Sequence, residues 1–226
     1  PLIEFTAEGE AAPKAEESAP AANGPVMNAP MGGTVMELKV KPGDVVKPGD
    51  VVPMNYHFTT THAHIDLNGG KIEELVADDA VNPVSSNPFK GNLDPDKLRD
   101  CIARHGADKI PFVRMEASTN LIGGQPFSIA NMREIRKICD EHGIMMVLDA
   151  SLIGENAYFI KMREDEFKDS SCAEILKTMC SLAELVYFSA RKVSSSRGGG
   201  ICTNDPAIAK KMEHLVPCLL YTSDAA

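Results

Sequence analysis

Short apolar runs alternate with helical segments through most of the chain, and this alternation constrains the fold more than any other feature of the sequence. Four of the runs have the length of a β-strand: residues 71–78 (KIEELVAD), 109–119 (KIPFVRMEAST), 143–151 (GIMMVLDAS) and 183–192 (AELVYFSARK). Strands that alternate with helices form βαβ crossovers, which place the strands parallel in one sheet. The sequence therefore predicts an α/β fold with a mostly parallel sheet, crossover helices and ligand sites at the carboxyl ends of the strands.

Two segments between these runs carry the start and stop signals of helices. In the first, Asp94 is the predicted N-cap, Pro95 takes the first helical position and Gly106 follows the last turn. In the second, Ser128 is the predicted N-cap and Gly143 ends the helix. Each segment has apolar residues three or four positions apart, so each is predicted to pack one face against the sheet.

The charge and hydropathy of the chain exclude two classes of partner. Its 226 residues carry 23 Lys and Arg against 32 Asp and Glu, which gives a formal net charge of −9. The basic residues are scattered among carboxylates, so we expect no nucleic-acid partner. No apolar run reaches the roughly 20 residues that a membrane-spanning helix needs, and the N-terminus has neither a Met nor a positively charged signal region. We expect no membrane partner and a cytoplasmic protein whose sequence is incomplete at its start.

The cysteines and histidines give no pattern of metal ligands. No two cysteines form a CxxC pair, and we interpret them as reduced thiols. The six are Cys101, Cys139, Cys172, Cys180, Cys202 and Cys218. His57, His62 and His64 have no Cys or carboxylate at ligand spacing, so they are predicted to be loop and strand histidines. We therefore expect no metal site of this kind.

The N-terminal quarter divides into two segments of different composition. Residues 1–25 are rich in Ala, Pro and Glu and cannot bury enough apolar surface to offset the entropy of ordering, so they are predicted to be a disordered linker. In residues 26–52, Val35, Leu38 and Val40 predict short strands, and two Pro-Gly-Asp triplets predict turns. This second segment is typical of a small β-barrel.

The run APMGGTVMELKVKPGDVVKPGD within this segment resembles the first half of a biotin carboxyl carrier domain of the biotinyl/lipoyl type. Such a domain carries its acceptor lysine in an Ala-Met-Lys-Met type of motif, which this sequence does not contain. The resemblance therefore implies a truncated β half-barrel that ends before its functional residue. The hexapeptide KPGDVV occurs at 41–46 and again at 47–52, and we expect a junction between two genes there.

Two of the predicted strands end in side chains that could do chemistry together. Asp149 closes IMMVLD and Lys192 closes VYFSARK, and parallel strands present their carboxyl ends at one edge. A lysine in that place, with Ser189 before it and glycines after it, is able to hold an aldehyde cofactor through its amine and a phosphate through hydroxyl and N–H groups. Pyridoxal phosphate also requires an acid at its ring nitrogen, which Asp149 would supply. From the pattern alone, a solvent-facing Lys192 and a helix-capping Asp149 remain open as alternatives.

Five segments occur in an order that resembles the tryptophanase and tyrosine phenol-lyase family of β-eliminating lyases. They are FTTTHAHIDLNGG, PFKGNLD, TNLIGGQPFSIANMR, LDASLIGENAYFIKMREDEFKD and YFSARK…RGGGICTND. The resemblance covers residues 53–217 and implies the middle part of the large domain of fold-type-I pyridoxal-phosphate enzymes. It implies that Lys192 is the catalytic residue and forms the Schiff base with pyridoxal 5′-phosphate.

The same resemblance implies a role for four further residues in binding the cofactor. Phe58 would stack on the ring, Asn120 would lie near the phenolic oxygen, Asp149 would pair with the pyridine nitrogen and Ser189 would contact the phosphate. Leu152 stands where better-known members have an Arg, so we expect one cofactor contact to be lost or supplied differently.

The implied reaction is β-elimination from an aromatic L-amino acid. Lys192 would take the Cα proton, and the products would be pyruvate, ammonia and either indole from tryptophan or phenol from tyrosine. The SARK…RGGG pattern favours tryptophan, which is the predicted substrate, while Thr59 favours tyrosine as the alternative. The resemblance also implies a homotetramer for full-length members.

Other parts of the resemblance predict limits to the function of this chain. Arg197 lies near the region where the family binds a monovalent cation, potassium in full-length relatives, and we predict that its guanidinium replaces the cation. The segments that supply the remaining phosphate and carboxylate contacts are missing, so the chain alone is expected to be inactive. Residues 218–226 (CLLYTSDAA) resemble a translated sequencing adaptor. A truncated carrier fragment or a non-functional chimera is the alternative to a lyase.

Overall fold

The computed structural model describes residues 46–193 and 198–213, and these fall in one compact unit that spans 39–226. The predicted linker at 1–25, the predicted strands around Val35 to Val40, Arg197 and the tail at 218–226 lie outside the described residues.

The described residues contain one six-stranded sheet with the strand order β2-β1-β3-β4-β5-β6. The strands are β1 (Val51–Met54), β2 (Lys71–Glu74), β3 (Phe112–Glu116), β4 (Met145–Asp149), β5 (Leu185–Ser189) and β6 (Gly199–Thr203). Strands β1 to β5 pair in parallel, and β6 pairs antiparallel with β5. The four predicted strands are β2 to β5, which confirms the mostly parallel α/β fold. Strands β1 and β6 were not predicted.

Seven α-helices occur in the described part of the chain. They are α1 (Thr59–Leu67), α2 (Pro95–His105), α3 (Ile129–His142), α4 (Ile153–Arg163), α5 (Cys172–Ser181), α6 (Ala190–Val193) and α7 (Pro206–Glu213). None of the described helices is long and apolar enough to cross a membrane.

The predicted helix signals are confirmed in α2 and α3. The Asp94 carboxylate accepts the N–H groups of Asp96 at 2.9 Å and Lys97 at 3.1 Å, so it satisfies two of the unpaired donors of the first turn. The Ser128 hydroxyl accepts the N–H of Asn131 at 3.0 Å. Gly143 follows α3 with φ +64, a left-handed conformation that closes a helix at little cost in glycine.

The two faces of the sheet are covered differently. Helices α2 to α5 supply the main core, which also contains Val113 and Met115 of β3. On the opposite face, Ile65 of α1 packs on Val52 and Met54 in a smaller cluster. Because side chains alternate along a strand, the even-numbered positions of β3 point away from the main core. That second face carries the buried polar residues of the candidate site.

The second KPGDVV repeat forms the turn into the sheet. The N–H of Lys47 donates to the Asp50 carboxylate at 2.8 Å, and the N–H of Asp50 donates to the carbonyl of Lys47 at 3.0 Å. The predicted turn at 48–50 is therefore confirmed, while the first repeat ends at the border of the described residues. Strand β1 begins at Val51, so the predicted segment border between residues 52 and 53 falls inside it.

The prediction for the histidines was wrong in part, because His62 and His64 lie in helix α1. Threonines fill the first turn of α1 and have modest helix propensity, so the helix is not evident from sequence. The five cysteines in the described residues are free thiols, as expected for reduced cysteines.

Candidate active site

The carboxyl edge of the sheet brings the predicted residues of the C-terminal half together. Asp149 and Ser189 are the last residues of the neighbouring parallel strands β4 and β5. The prediction that Lys192 closes a strand was wrong, because β5 ends at Ser189 and Lys192 lies in helix α6, which follows directly. The expectation that the ends of these two strands meet at one edge is thus confirmed.

Lys192 is in direct contact with Phe58. The Nζ atom of Lys192 lies 3.9 Å from the centroid of the Phe58 ring, which is the geometry of a cation–π interaction. Phe58 is the N-cap of α1 and has an extended backbone, with φ −115 and ψ 147. This backbone turns the chain from β1 into α1 at the carboxyl edge, so an aromatic ring from one end of the sequence meets the amine from the other.

A cavity opens beside Lys192. Its volume is about 450 Å³, and its other lining residues are Gly154, Glu155, Tyr158 and Phe159 of helix α4. Lys192 is half-buried, so its amine is accessible to a small molecule while its stem packs on protein.

Arg114 of β3 is the centre of a buried polar network on the second face of the sheet. Its side chain is 1% exposed. Its Nε donates to the Tyr187 hydroxyl at 2.7 Å, and its Nη1 donates to the carbonyl of Tyr56 at 3.2 Å. Its Nη2 donates to Asp149 Oδ2 at 2.6 Å and to Glu116 Oε2 at 3.1 Å. A buried guanidinium thus faces two buried carboxylates.

The pKa values of this network follow from its burial and charges. Burial opposes the charged form of Arg114, but the interactions with Tyr187, Asp149 and Glu116 outweigh it, so the pKa of Arg114 is raised. Burial raises the pKa of Tyr187 to about 12, although Arg114 acts in the opposite direction. Tyr187 is therefore a neutral hydroxyl at neutral pH, and Arg114 is the cation of the network.

Hydrogen bonds connect this network to two further predicted residues. Glu116 Oε1 accepts the N–H of Asn120 at 3.1 Å. Asp149 Oδ1 accepts the N–H of Ser151 at 3.0 Å, and the hydroxyl of Ser151 accepts the N–H of Ser189 at 3.1 Å. Asn120, Asp149 and Ser189 are therefore linked through Arg114, Glu116 and Ser151. Among the described residues, Lys192 contacts the Phe58 ring, while the side-chain hydrogen bonds and ion pairs of Asp149 go to Arg114 and Ser151.

Asn55, which directly follows the neighbouring strand β1, holds the backbone of Glu116. Its Nδ2 donates to the carbonyl of Glu116 at 3.0 Å and to the carbonyl of Gly91 at 3.0 Å, while its Oδ1 accepts the N–H of Glu116 at 2.9 Å. Position 91 requires glycine, because a Cβ on Gly91 would lie 2.1 Å from the carbonyl oxygen of Gln125. The close approach of these two loops thus supports the end of β3.

Sequence reasoning missed Arg114, Glu116, Tyr187 and Ser151. One signal was available: Arg114 and Glu116 are two positions apart in a run that was predicted to be a buried strand, so they share one face. Buried charges of this kind need partners. Leu152, where an Arg was expected, is the N-cap of α4 and forms no side-chain capping hydrogen bond.

A second group of polar residues lies away from this edge. Glu73 of β2 lies with Cys101 and His105 of α2 in a set whose ligand atoms are within 4.8 Å of one another. Arg104 and His105 form ion pairs with the Glu73 carboxylate. Burial raises the pKa of the Cys101 thiol to about 12. An existing ion pair therefore accounts for this cluster, and it joins α2 to the edge strand.

The family model described as Beta-eliminating lyase matches residues 33–216 of the chain. This range starts inside the segment that was predicted to be carrier-like, and the domain borders remain predictions. The tyrosine phenol-lyase of Symbiobacterium thermophilum is 44% identical over 173 residues, which are 76% of this chain and 38% of that protein. The tryptophanase of Salinibacter ruber is 40% identical over 170 residues, 75% of this chain and 36% of that protein. The chain thus spans less than two fifths of the length of these relatives.

Similarity to solved structures is more distant. The putative aromatic amino acid beta-eliminating lyase/threonine aldolase of Exiguobacterium has 17% sequence identity and a TM-score of 0.47. The match covers 72% of this chain and 39% of the other.

Proposed function

Because the chain belongs to the family of β-eliminating lyases, we propose that it forms part of the pyridoxal-phosphate site of a lyase for aromatic L-amino acids. The family depends on pyridoxal phosphate, and its named relatives act on aromatic amino acids. The observation that carries the proposal for this chain is the contact of Lys192 with Phe58 at the edge where β4 and β5 end.

The donor set at this edge fits pyridoxal phosphate. Lys192 would bind its aldehyde carbon and Phe58 would lie against its ring. Asp149 would pair with the ring nitrogen, Ser189 would contact the phosphate and Asn120 the phenolic oxygen. An amine, an aromatic ring, a carboxylate and a hydroxyl are the groups that such a cofactor requires. These roles are proposals for the five residues.

When it is bound, pyridoxal phosphate supplies an electron-withdrawing ring that stabilises negative charge at Cα of an amino acid. The residues of this chain would supply the remaining functions. The Lys192 amine, on a flexible stem beside a cavity, is the group that would take the Cα proton and return it to the leaving group. The buried Asp149 carboxylate would keep the ring nitrogen protonated, and Phe58 would restrict the position of the ring.

The proposal also specifies which aromatic amino acid is the substrate. Tryptophan is proposed from the SARK…RGGG pattern, and the products would then be indole, pyruvate and ammonia. Tyrosine is the second candidate, because Thr59 stands where, by the resemblance, phenol-lyases often have Thr and tryptophanases have Asp. Several relatives are also named tyrosine phenol-lyase. By the same resemblance, a tetramer is proposed for the full-length protein.

Reductive trapping tests the role of Lys192. The chain is incubated with pyridoxal phosphate and borohydride, and peptide mass spectrometry locates the modified lysine. We expect the label on Lys192 and its loss in Lys192→Ala, whereas Lys137→Ala, which removes an exposed lysine of α3, should keep it. Label spread evenly over surface lysines would contradict the proposal.

A substrate panel tests the reaction class and the side chain. L-tryptophan, L-tyrosine and L-serine are supplied with pyridoxal phosphate, and indole, phenol and pyruvate are measured. The tyrosine phenol-lyase of Symbiobacterium thermophilum serves as the positive control, and a full-length relative with the same Lys192 segment is assayed beside the chain. Indole would assign tryptophan and phenol would assign tyrosine, while pyruvate from L-serine alone would contradict an aromatic substrate.

The carrier-like resemblance of residues 26–52 gives a separate, non-catalytic candidate. Because the sequence has no Ala-Met-Lys-Met type of motif, we expect an avidin blot of the expressed chain to be blank. A biotinylated chain would support the carrier function instead of the lyase.

A further inference from the structure

Two buried carboxylates lie side by side at the end of the central strands. Glu116 of β3 and Asp149 of β4 are partners in register, and their side chains are 3% and 8% exposed. Two negative charges that lie close together away from water repel each other. A cation between them would offset this repulsion and hold each carboxylate in place.

Arg114 is that cation. One nitrogen, Nη2, donates to both carboxylates, and its distance to Asp149 is the shorter, 2.6 Å against 3.1 Å to Glu116. The guanidinium itself is immobilised, because Tyr187 accepts from Nε and the carbonyl of Tyr56 accepts from Nη1. Charge-assisted hydrogen bonds of this kind are stronger than neutral ones, and their geometry also fixes the orientation of the carboxylate.

Both oxygens of Asp149 are therefore held. Arg114 holds Oδ2, and the N–H of Ser151 holds Oδ1 at 3.0 Å. The guanidinium that contacts Asp149 comes from the neighbouring strand β3. A lysine at position 114 would keep one positive charge but lose the rigid fork that reaches Tyr187, Tyr56 and Asp149 together.

We propose that Arg114 is the positioning residue of the cofactor site: it holds the Asp149 carboxylate in the orientation that the ring nitrogen of pyridoxal phosphate requires. This inference rests on the proposed function. Arg114 acts through Asp149, and Tyr187 and Tyr56 act by holding Arg114.

The test compares pyridoxal phosphate with deazapyridoxal phosphate, in which carbon replaces the ring nitrogen. Affinity for each is measured on the full chain by titration of the visible absorption of the bound cofactor. The Arg114→Lys variant is expected to bind pyridoxal phosphate about tenfold more weakly. Its affinity for the deaza analogue should stay within about twofold, since the analogue has no ring nitrogen for Asp149 to meet. The matched control is Arg133→Lys, because Arg133 is an exposed arginine of α3.

The Glu116→Gln variant keeps the test decisive if Arg114→Lys fails to fold. It removes the competing negative charge and leaves only a neutral amide oxygen beside Arg114, so the preference for pyridoxal phosphate over the analogue should be kept or increased. Circular dichroism confirms folding of each variant.

The possible outcomes separate the two proposals. An equal loss of both cofactors in Arg114→Lys would show a purely structural role for Arg114 and overturn the inference. A reduced preference in folded Glu116→Gln would overturn it as well. If the unmodified chain binds neither compound, the proposed function itself fails. If it binds both equally well, the cofactor site stands and the role of Asp149 and Arg114 at the ring nitrogen is refuted.

Discussion

Replacing Asn156 by Ala should strongly destabilise the chain, because this one buried amide ties two backbone segments together. Asn156 lies in α4 and is 0% exposed. Its Oδ1 accepts the N–H of Ser118 at 3.0 Å and of Phe127 at 3.1 Å, and its Nδ2 donates to the carbonyl of Phe127 at 2.9 Å. The side chain thus holds both ends of the loop that contains Asn120.

The magnitude follows from the groups that the substitution leaves unpaired. Two N–H groups and one carbonyl lose their partner, and Ser118 and Phe127 are 1% and 0% exposed. A buried group left without a hydrogen bond costs about 1–3 kcal/mol. Allowing for partial relaxation, the expected loss is about 3–5 kcal/mol, a large part of the about 5–15 kcal/mol that stabilises a typical domain. Ser118 also has φ +51, which is uncommon in a residue other than glycine, so its backbone depends on this bond.

Urea unfolding followed by circular dichroism measures the loss, and amide hydrogen exchange locates it. The Ser118 and Phe127 amides should lose protection in Asn156→Ala. The control is Asn68→Ala at the end of α1, where the side chain makes one exposed bond to the carbonyl of His64, and a loss below about 1 kcal/mol is expected. A loss of less than about 1 kcal/mol in Asn156→Ala would refute the reasoning, because the partners would then have found water or other acceptors.

Three further predictions follow from the same structure. The pKa of Glu73 is lowered, because hydrogen bonds and charges from Arg104 and His105 outweigh the opposing effect of burial. The contribution of Glu73 to the free energy of unfolding is therefore fully present above pH 4.5, the ordinary pKa of a Glu, and is lost as the pH falls through the lower pKa of the folded state. In Glu73→Gln, the free energy of unfolding measured in urea should therefore decrease less on acidification. Cys101 and Cys139 should react with a thiol reagent only on unfolding, since burial raises the pKa of each to about 12, and rapid labelling of either in the folded chain would contradict this. For Arg197, we expect a full-length relative with this residue to have the same activity with and without potassium, and a requirement for potassium would disprove replacement of the cation.

Helices α2 and α3 were predictable because their signals are local in sequence. Strands β1 and β6 were missed because they depend on contacts with residues distant in sequence. Asp94 and Gly143 act on the backbone within three residues, so their effect can be read from the sequence. Strand β1 is only four residues long and contains Pro53, which is a weak strand signal. Strand β6 starts with glycines that are typical of a turn, yet a Cβ at Gly199 would lie 2.3 Å from the carbonyl oxygen of Phe188. That glycine is required by the partner strand, which the sequence does not identify.

The sequence predicted which residues lie at the candidate site, but it did not predict which side chains contact them. Asp149 ends β4 and Lys192 follows β5, so topology alone places them at one edge. That Arg114 contacts Asp149 depends on the register between β3 and β4, in which Arg114 is paired with Val147 and Glu116 with Asp149. A shift of one residue would turn Arg114 into the main core. The sequence showed two charges in a strand, and only the register assigns them a partner.

The alternation of side chains along β3 to β5 separates the main apolar core from the buried polar network of the candidate site. Val113, Met115 and Leu148 face the helices and build the main core, while Arg114, Asp149 and Tyr187 face the opposite side. A charged network on the core side would replace apolar packing, and the desolvation of its charges would lower the free energy of unfolding. On the opposite side, the same burial strengthens the interaction of Arg114 with Asp149, because few waters compete for it. Substitutions on the core side should therefore lower the free energy of unfolding without a change in cofactor preference, whereas a folded Arg114→Lys variant is expected to show the altered preference for pyridoxal phosphate over its deaza analogue.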